Sequence, residues 1–211
     1  ASTDAAGVTA EVIAFADVDA LGAAPAELVR NKIVYIGHAM PRTMDGSGYG
    51  VFGAPRRSGP TLASQKGAIA ILIRSIGTDR QHRNPHTGVM TFERGAAPIP
   101  AGALSNPDAD QLERILARGE RPTGRLTLQS RTSQGKSGNV IAEVPGRDPS
   151  AAPVLVSCHL DSWDLGTGAF DDAAGCGIVA AAAKRIMDAG TPARPIRIVW
   201  FGAEEVGLLG G

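Results

Sequence analysis

The 211-residue sequence is short of cysteine, poor in aromatics and without net charge, and each shortage removes a class of function. Two cysteines do not make a disulfide scaffold of the kind that staples small secreted domains. Cys158 and Cys176 fall on a presumed strand and a presumed helix, where small buried side chains pack well, so both are read as structural thiols rather than as a disulfide or metal ligands. Lysine plus arginine (21) equals aspartate plus glutamate (21), and no basic stripe is interleaved with aromatics, which argues against nucleic acid and anionic membrane as partners. The longest helix-like apolar stretch, Gly177 to Ala183, is far too short to span a bilayer, and the start Ala1-Ser2-Thr3-Asp4 lacks a basic-then-apolar leader. What is present, 43% apolar and 20% charged residues, suits an ordinary globular chain of one large domain or two small ones.

Along the chain the grammar changes once. From Val8 to about Ser130, short strands alternate with Gly- and Pro-rich turns and two short helices, with strand patterns at Val8 to Phe15, Lys32 to Ile36 and Arg125 to Leu128, predicting a compact, mostly β module. One helix there is well marked: Asn106 as cap, Pro107 in the first turn, Ala109, Leu112, Ile115 and Leu116 on one face, and Gly119 at the end. The stretch Met40 to Pro60 has little periodicity and is expected as a loop on the surface or over a cleft. After the polar run Thr132 to Gly138 comes strand, strand, helix, strand: Asn139 to Val144, Pro153 to Cys158, Asp172 to Ala189 and Ile196 to Phe201. That is a βαβ unit, with Ile178, Val179, Ala182, Ile186 and Met187 expected inward. One helix for three strands predicts a fragment whose other layers come from elsewhere.

The chemistry-bearing residues lie just past the carboxyl ends of these strands, where open α/β sheets place their sites. His159 follows Val154 to Cys158, and Glu204-Glu205 follows Ile196 to Phe201. Residues i and i+2 of an extended segment point the same way, so the Asp161 carboxylate is expected beside the His159 ring as its orienting partner. A plain strand-end histidine with a polar turn is the competing explanation. Asp171-Asp172 stands at a helix entrance; capping alone is the plainer reading of both, but two in succession allow Asp172 to cap while Asp171 faces the cleft and bridges two cations. Glu204 and Glu205 diverge as neighbours do, letting one bind metal and the other hold a water.

Together, Asn139 to Gly146, His159-Leu160-Asp161-Ser162-Trp163-Asp164, Gly168-Ala169-Phe170-Asp171-Asp172 and Gly202-Ala203-Glu204-Glu205-Val206-Gly207 resemble metallopeptidase family twenty-eight, in its carboxypeptidase Q branch. Leu72 to Ile76 with Pro85-His86-Thr87-Gly88 resembles the protease-associated insert of that branch. The resemblance implies an α/β fold: residues 1–131 a β-rich protease-associated (PA) domain, residues 132–211 the N-terminal part of a di-zinc peptidase domain with a parallel or mixed sheet. It implies His159, Asp171 and Glu205 as zinc ligands, Asp171 bridging two Zn2+ ions, Glu204 as general base and Asp161 as the residue that orients His159. It implies a strained, often cis, peptide bond after Asp171. Two further ligands, an aspartate and a C-terminal histidine, have no match among residues 1–211, so the chain is expected to be truncated at both ends and inactive alone. His38, His82 and His86 match no family ligand; His86 is expected to stabilise a loop or rim a cleft.

The expected activity is therefore a zinc-dependent exopeptidase or dipeptidase acting on short peptides, secreted or periplasmic, its site completed by a further segment or a second chain, with a homodimer among the assemblies allowed. The alternative is a non-catalytic PA-type interaction or substrate-gating module with an inert remnant site; a single-zinc cyclotransferase on the same sheet is a third reading.

Overall fold

The computed structural model describes residues 2–86, 88–163 and 165–211; Thr87 and Asp164, both within the motifs above, lie outside the described residues. Two compact units divide the chain, Ala1–Thr132 and Ser133–Gly211, with the boundary in the polar run after Ser130.

In the N-terminal unit, β1 (Val8–Phe15), β2 (Ile33–Ile36), β3 (Ala70–Arg74), β4 (Ala101–Leu104) and β5 (Thr123–Leu126) form one sheet in the order β4-β3-β2-β1-β5. The strands from β4 to β1 run parallel, and β5 lies antiparallel on β1 with Val8 opposite Leu126. The central Ile33-Val34-Tyr35-Ile36 is buried along its whole length, as a parallel strand covered on both faces must be. Its side chains alternate. Val34 and Ile36 join Leu21, Val29, Ala63, Ile71 and Ile73, brought by α1 (Val18–Ala23), α2 (Ala26–Val29), α5 (Gly59–Gln65) and β3. Ile33 and Tyr35 meet Ala109 of the long helix Asn106–Ala117 on the opposite face.

This unit is less dominated by strands than its sequence pattern suggests. Within the stretch expected as a loop, α3 (Gly48–Val51) and α4 (Ala54–Arg57) form, and Gly59 and Pro60 open α5. Helices of four residues are too short to show a 3.6-residue apolar period. Pro55 and Pro60 sit in first turns, where the missing N–H is not needed, and both are fully buried. The long helix, α6, is capped by Ser105 rather than Asn106: the Ser105 hydroxyl accepts from the Asp108 amide at 3.3 Å. Asn106 is instead buried, its side-chain oxygen accepting from Arg74 at 3.2 Å.

Arg74, on β3, has a side chain only 2% exposed and donates to Asp110 and Glu113 of α6, each at 2.7 Å. Tyr35 donates to Glu113 at 2.8 Å. Burial works against the Arg74 charge, but the two carboxylates hold its pKa above the ordinary value. The network fastens α6 to the centre of the sheet.

The C-terminal unit is thinner. β6 (Val140–Val144), β8 (Ile196–Phe201) and β7 (Val154–His159) form a sheet in the order β6-β8-β7, with β8 parallel to β7 and antiparallel to β6. The helix α7 (Gly175–Ala189) connects β7 to β8 and packs on the sheet, where Ala183 joins Val144, Ile196, Val156 and Ile198. The inward face of α7 is largely not the expected one: Cys176 and Ala183 are its buried residues and Val179 is half-buried, while Ile178, Ala182, Ile186 and Met187 are exposed. The sheet approaches a stripe of small side chains, and the large ones point away. No helix among the described residues is long and apolar enough to cross a membrane.

Candidate metal centre

Three loops at the carboxyl end of this sheet bring the acidic residues to His159. The histidine is the last residue of β7, and its amide N–H donates to the Asp172 carboxylate at 3.2 Å. Its Nδ1 lies 2.9 Å from the Asp161 carbonyl, which can only accept, so Nδ1 carries a proton and Nε2 faces the cleft. Nε2 stands 2.9 Å from Asp171 Oδ1 and 4.0 Å from Glu204 Oε2.

Asp161 does not act as its spacing suggested. Its carboxylate lies 3.6 Å from Nδ1 and instead accepts from the backbone amides of Glu204 at 2.9 Å and Glu205 at 3.0 Å. Successive amides at the turn after β8 need acceptors, and a carboxylate with two oxygens satisfies both. Asp161 therefore orients His159 through its backbone and the glutamate pair through its side chain. Ala203, just before the pair, adopts φ +58°, a left-handed conformation uncommon outside glycine. Asn139 accepts from the Gly202 amide at 3.0 Å and further pins this turn.

Asp171 and Asp172 sit in a wide turn, Ala169–Ala174, ahead of α7, and the bond between them is cis, as the resemblance implies. The expected cap role of Asp172 is not what the structure shows. α7 starts at Gly175 with no side-chain cap, and the Asp172 carboxylate turns back to the His159 amide. Gly175 leaves room for it, since a Cβ there would stand 2.1 Å from Asp172 Oδ1.

The electrostatics of this cluster are those of a site lacking positive charge. Partial burial lowers the His159 pKa, but Asp171, the Asp161 carbonyl and Glu204 outweigh it and hold the ring above the ordinary histidine value. Burial and then the charge of Asp171 push Glu205 up, eased by a hydrogen bond from Trp163. Asp161, despite burial, is held below the ordinary carboxylate range by the Glu204 and Glu205 amides. A cation among these groups relieves the repulsion felt by Glu205.

The donor set fits a zinc-like ion. One ligand atom each from His159, Glu204 and Glu205 lie within 4.8 Å of one another. Two ligands of a tetrahedral centre with bonds of ~2.0–2.2 Å stand about 3.3–3.6 Å apart, so side-chain adjustments of about an ångström bring these atoms into place. Of the three expected ligands, His159 and Glu205 belong to this trio. Asp171, 74% exposed, joins through its contact with His159 and its influence on Glu205. Glu204, expected as a base, lies within the same reach. Beside them a cleft of about 270 Å³ is lined by Trp163, Ala169, Phe170, Asp171 and Glu205.

Two features escaped the sequence reading. Cys158 and Cys176 form a disulfide with their Cα atoms 5.1 Å apart, which corrects their reading as thiols. The signal was there, because a strand's last turn inward and a helix's first turn packed upon it bring Cβ atoms within bonding reach. Trp163, whose place in the motif gives no sign of a role, donates a hydrogen bond to Glu205. The other histidines hold loops. His86 Nε2 lies 3.2 Å from the Tyr49 hydroxyl and 3.3 Å from Arg56, and its amide donates to Ser75 at 2.8 Å. His82 pairs with Asp79 at 3.0 Å, and His38 packs against Phe52 with the rings tilted by 47° and their centroids 4.3 Å apart.

Comparison with known proteins bears on the family and the fold. Residues 139–211 match the model of Peptidase family M28. Carboxypeptidase Q of Homo sapiens is 35% identical over 211 residues, spanning 97% of this chain and 42% of that protein. The crystal structure of a Peptidase M28 precursor from Shewanella amazonensis superposes with a TM-score of 0.91 at 45% identity, over 99% of this chain and 48% of that one. A zinc aminopeptidase from Bacillus subtilis shares the fold, with a TM-score of 0.63 at 22% identity over 100% of this chain and 45% of that one. The chain thus spans under half the length of the relatives it matches. An imidazole and paired carboxylates thus converge within residues 139–211, the segment that matches Peptidase family M28.

Proposed function

We propose that this chain carries the metal-binding part of a zinc-dependent exopeptidase or dipeptidase that cleaves terminal peptide bonds of short peptides. The observation that carries the reading is the convergence of His159, Glu204 and Glu205 ligand atoms within 4.8 Å, with Asp171 2.9 Å from His159. In this reading His159, Asp171 and Glu205 would hold the Zn2+, and Glu204, within the same reach, would stand beside it as the base. Bound zinc supplies Lewis acidity: it polarises a peptide carbonyl and makes a neighbouring water ionise near neutral pH. Glu204, its amide anchored on Asp161, takes the proton of the attacking water and passes it to the leaving amine. The Asp161 carbonyl keeps His159 in the tautomer that presents Nε2 to the metal. The cleft beside Trp163 and Phe170 has room for a side chain of the peptide.

The resemblance calls for two further ligands, an aspartate and a histidine, which this reading draws from polypeptide other than residues 1–211. With three of the five ligands of a two-ion site, residues 1–211 by themselves would hold zinc weakly and turn over little. The N-terminal unit takes the part of a protease-associated domain. A disulfide within the site favours an oxidising location, secreted or periplasmic.

The test is Glu204→Gln in the full-length polypeptide. Zinc content should stay that of the wild type while kcat falls ~10²–10⁴-fold. Unchanged turnover removes Glu204 from the mechanism, and unchanged turnover after zinc removal removes the metal.

A further inference from the structure

We infer that the Cys158–Cys176 disulfide is a positioning clamp for the metal-binding loop, setting where the turn that bears Asp171 starts relative to His159. The inference rests on the metal reading above and adds a device to it. The bridge joins residues 18 apart in sequence, and the loop it closes contains His159, Asp161, Trp163, Asp171 and Asp172. Each end of the bridge is close to a site residue. Cys158 immediately precedes His159 on β7, Cys176 lies in the first turn of α7 just past the Asp171-Asp172 turn, and its sulfur is 3.3 Å from the His159 carbonyl oxygen.

Packing gives the helix little other hold at that end. Beyond Cys176, α7 has one fully buried residue, Ala183, two turns further on, and between them only the half-buried Val179 and Ala180, so apolar packing holds the helix start lightly. The remaining ties are polar and partly open to water: the His159 amide to Asp172 at 3.2 Å, and His159 Nε2 to an Asp171 side chain that is 74% exposed. Exposed ion pairs of this kind hold geometry poorly. Metal ligands, by contrast, must be held to within about half an ångström for full affinity. The covalent link is therefore the element that keeps the Asp171 turn against the His159 strand.

The double variant Cys158→Ala/Cys176→Ala of the full chain tests this with two readouts other than activity. Far-UV circular dichroism checks that the fold persists. Amide hydrogen exchange, measured without metal, should accelerate over residues 169–176 and stay unchanged in β6 and β8. The dissociation constant for Zn2+ should rise at least ~10-fold, the scale seen when groups supporting metal ligands are lost. Exchange over 169–176 no faster than in the wild type overturns the clamp, as does Zn2+ affinity within twofold of the wild type. If oxidised wild type takes up no Zn2+, the metal reading fails, and the exchange comparison still decides the clamp.

Should the double variant not fold, the intact chain answers in a glutathione buffer. There the protein disulfide takes up two electrons and two protons to give two thiols while two glutathiones become glutathione disulfide. Coupling is reciprocal, so Zn2+ should shift this equilibrium towards the protein disulfide by the factor it gains in affinity. No shift, or a shift towards the thiols, overturns the clamp.

Discussion

The two units of this chain each carry a cluster of charged groups, and they use them oppositely. In the N-terminal unit the Arg74–Asp110–Glu113–Tyr35 network centres on a cation that is 2% exposed, with every partner at hydrogen-bond distance. In the C-terminal unit His159, Asp171, Glu204 and Glu205 gather beside an open cleft, and carboxylates outnumber the single imidazole. Both clusters shift the pKa values of their members. The difference lies in what is enclosed. A buried cation held between the carboxylates it bonds serves as a fastening, whereas carboxylates gathered around one imidazole beside an open cleft can take up a cation.

Perturbing Arg74 should produce the largest effect on stability. Arg74→Ala leaves Asp110 and Glu113 without their buried partner and should cost about 3 kcal/mol of the N-terminal unit's stability by urea denaturation, with Zn2+ affinity unmoved. A matching loss of Zn2+ affinity breaks the division of labour between the two clusters. In the C-terminal unit, Asp161→Asn keeps the shape but replaces one amide acceptor with a donor facing the Glu204 or Glu205 N–H. Zn2+ binding, followed by calorimetry, should weaken ~10–100-fold while the N-terminal unit melts unchanged. The smallest effect belongs to the outward face of α7: Ile178→Lys, at a residue 69% exposed, should change the chain's stability by under ~0.5 kcal/mol. A large loss there means that this face is packed in solution.

Strands were the most legible part of the sequence, because alternation and β-branched runs survive in any context. Val8–Phe15 and Ile196–Phe201 form strands with the expected bounds. The face of α7 was not legible. Apolar size pointed to Ile178, Ile186 and Met187, but contact with the sheet goes through Cys176 and Ala183, which an alanine-rich helix hides among equals. Ser105 and Asn106 are both good capping types, and Pro107 suits either register, so local chemistry alone could not choose between them.

In the site, residue types and spacing were enough to gather His159, Asp171, Glu204 and Glu205, since each follows a strand or precedes the helix at the same sheet end. What they could not show was where each carboxylate spends its hydrogen bonds. Asp161 goes to two backbone amides contributed from 43 and 44 residues away, and Asp172 to the amide of His159. Those partners exist only once three loops have met.

Anomalous X-ray scattering at the zinc edge, from crystals of the full-length polypeptide grown with Zn2+, tests the central claim most directly. The account predicts a peak within ~2.0–2.2 Å of His159 Nε2 and a second at that distance from a Glu205 carboxylate oxygen, with Asp171 touching both. Density for zinc only elsewhere, or none within reach of His159, contradicts it.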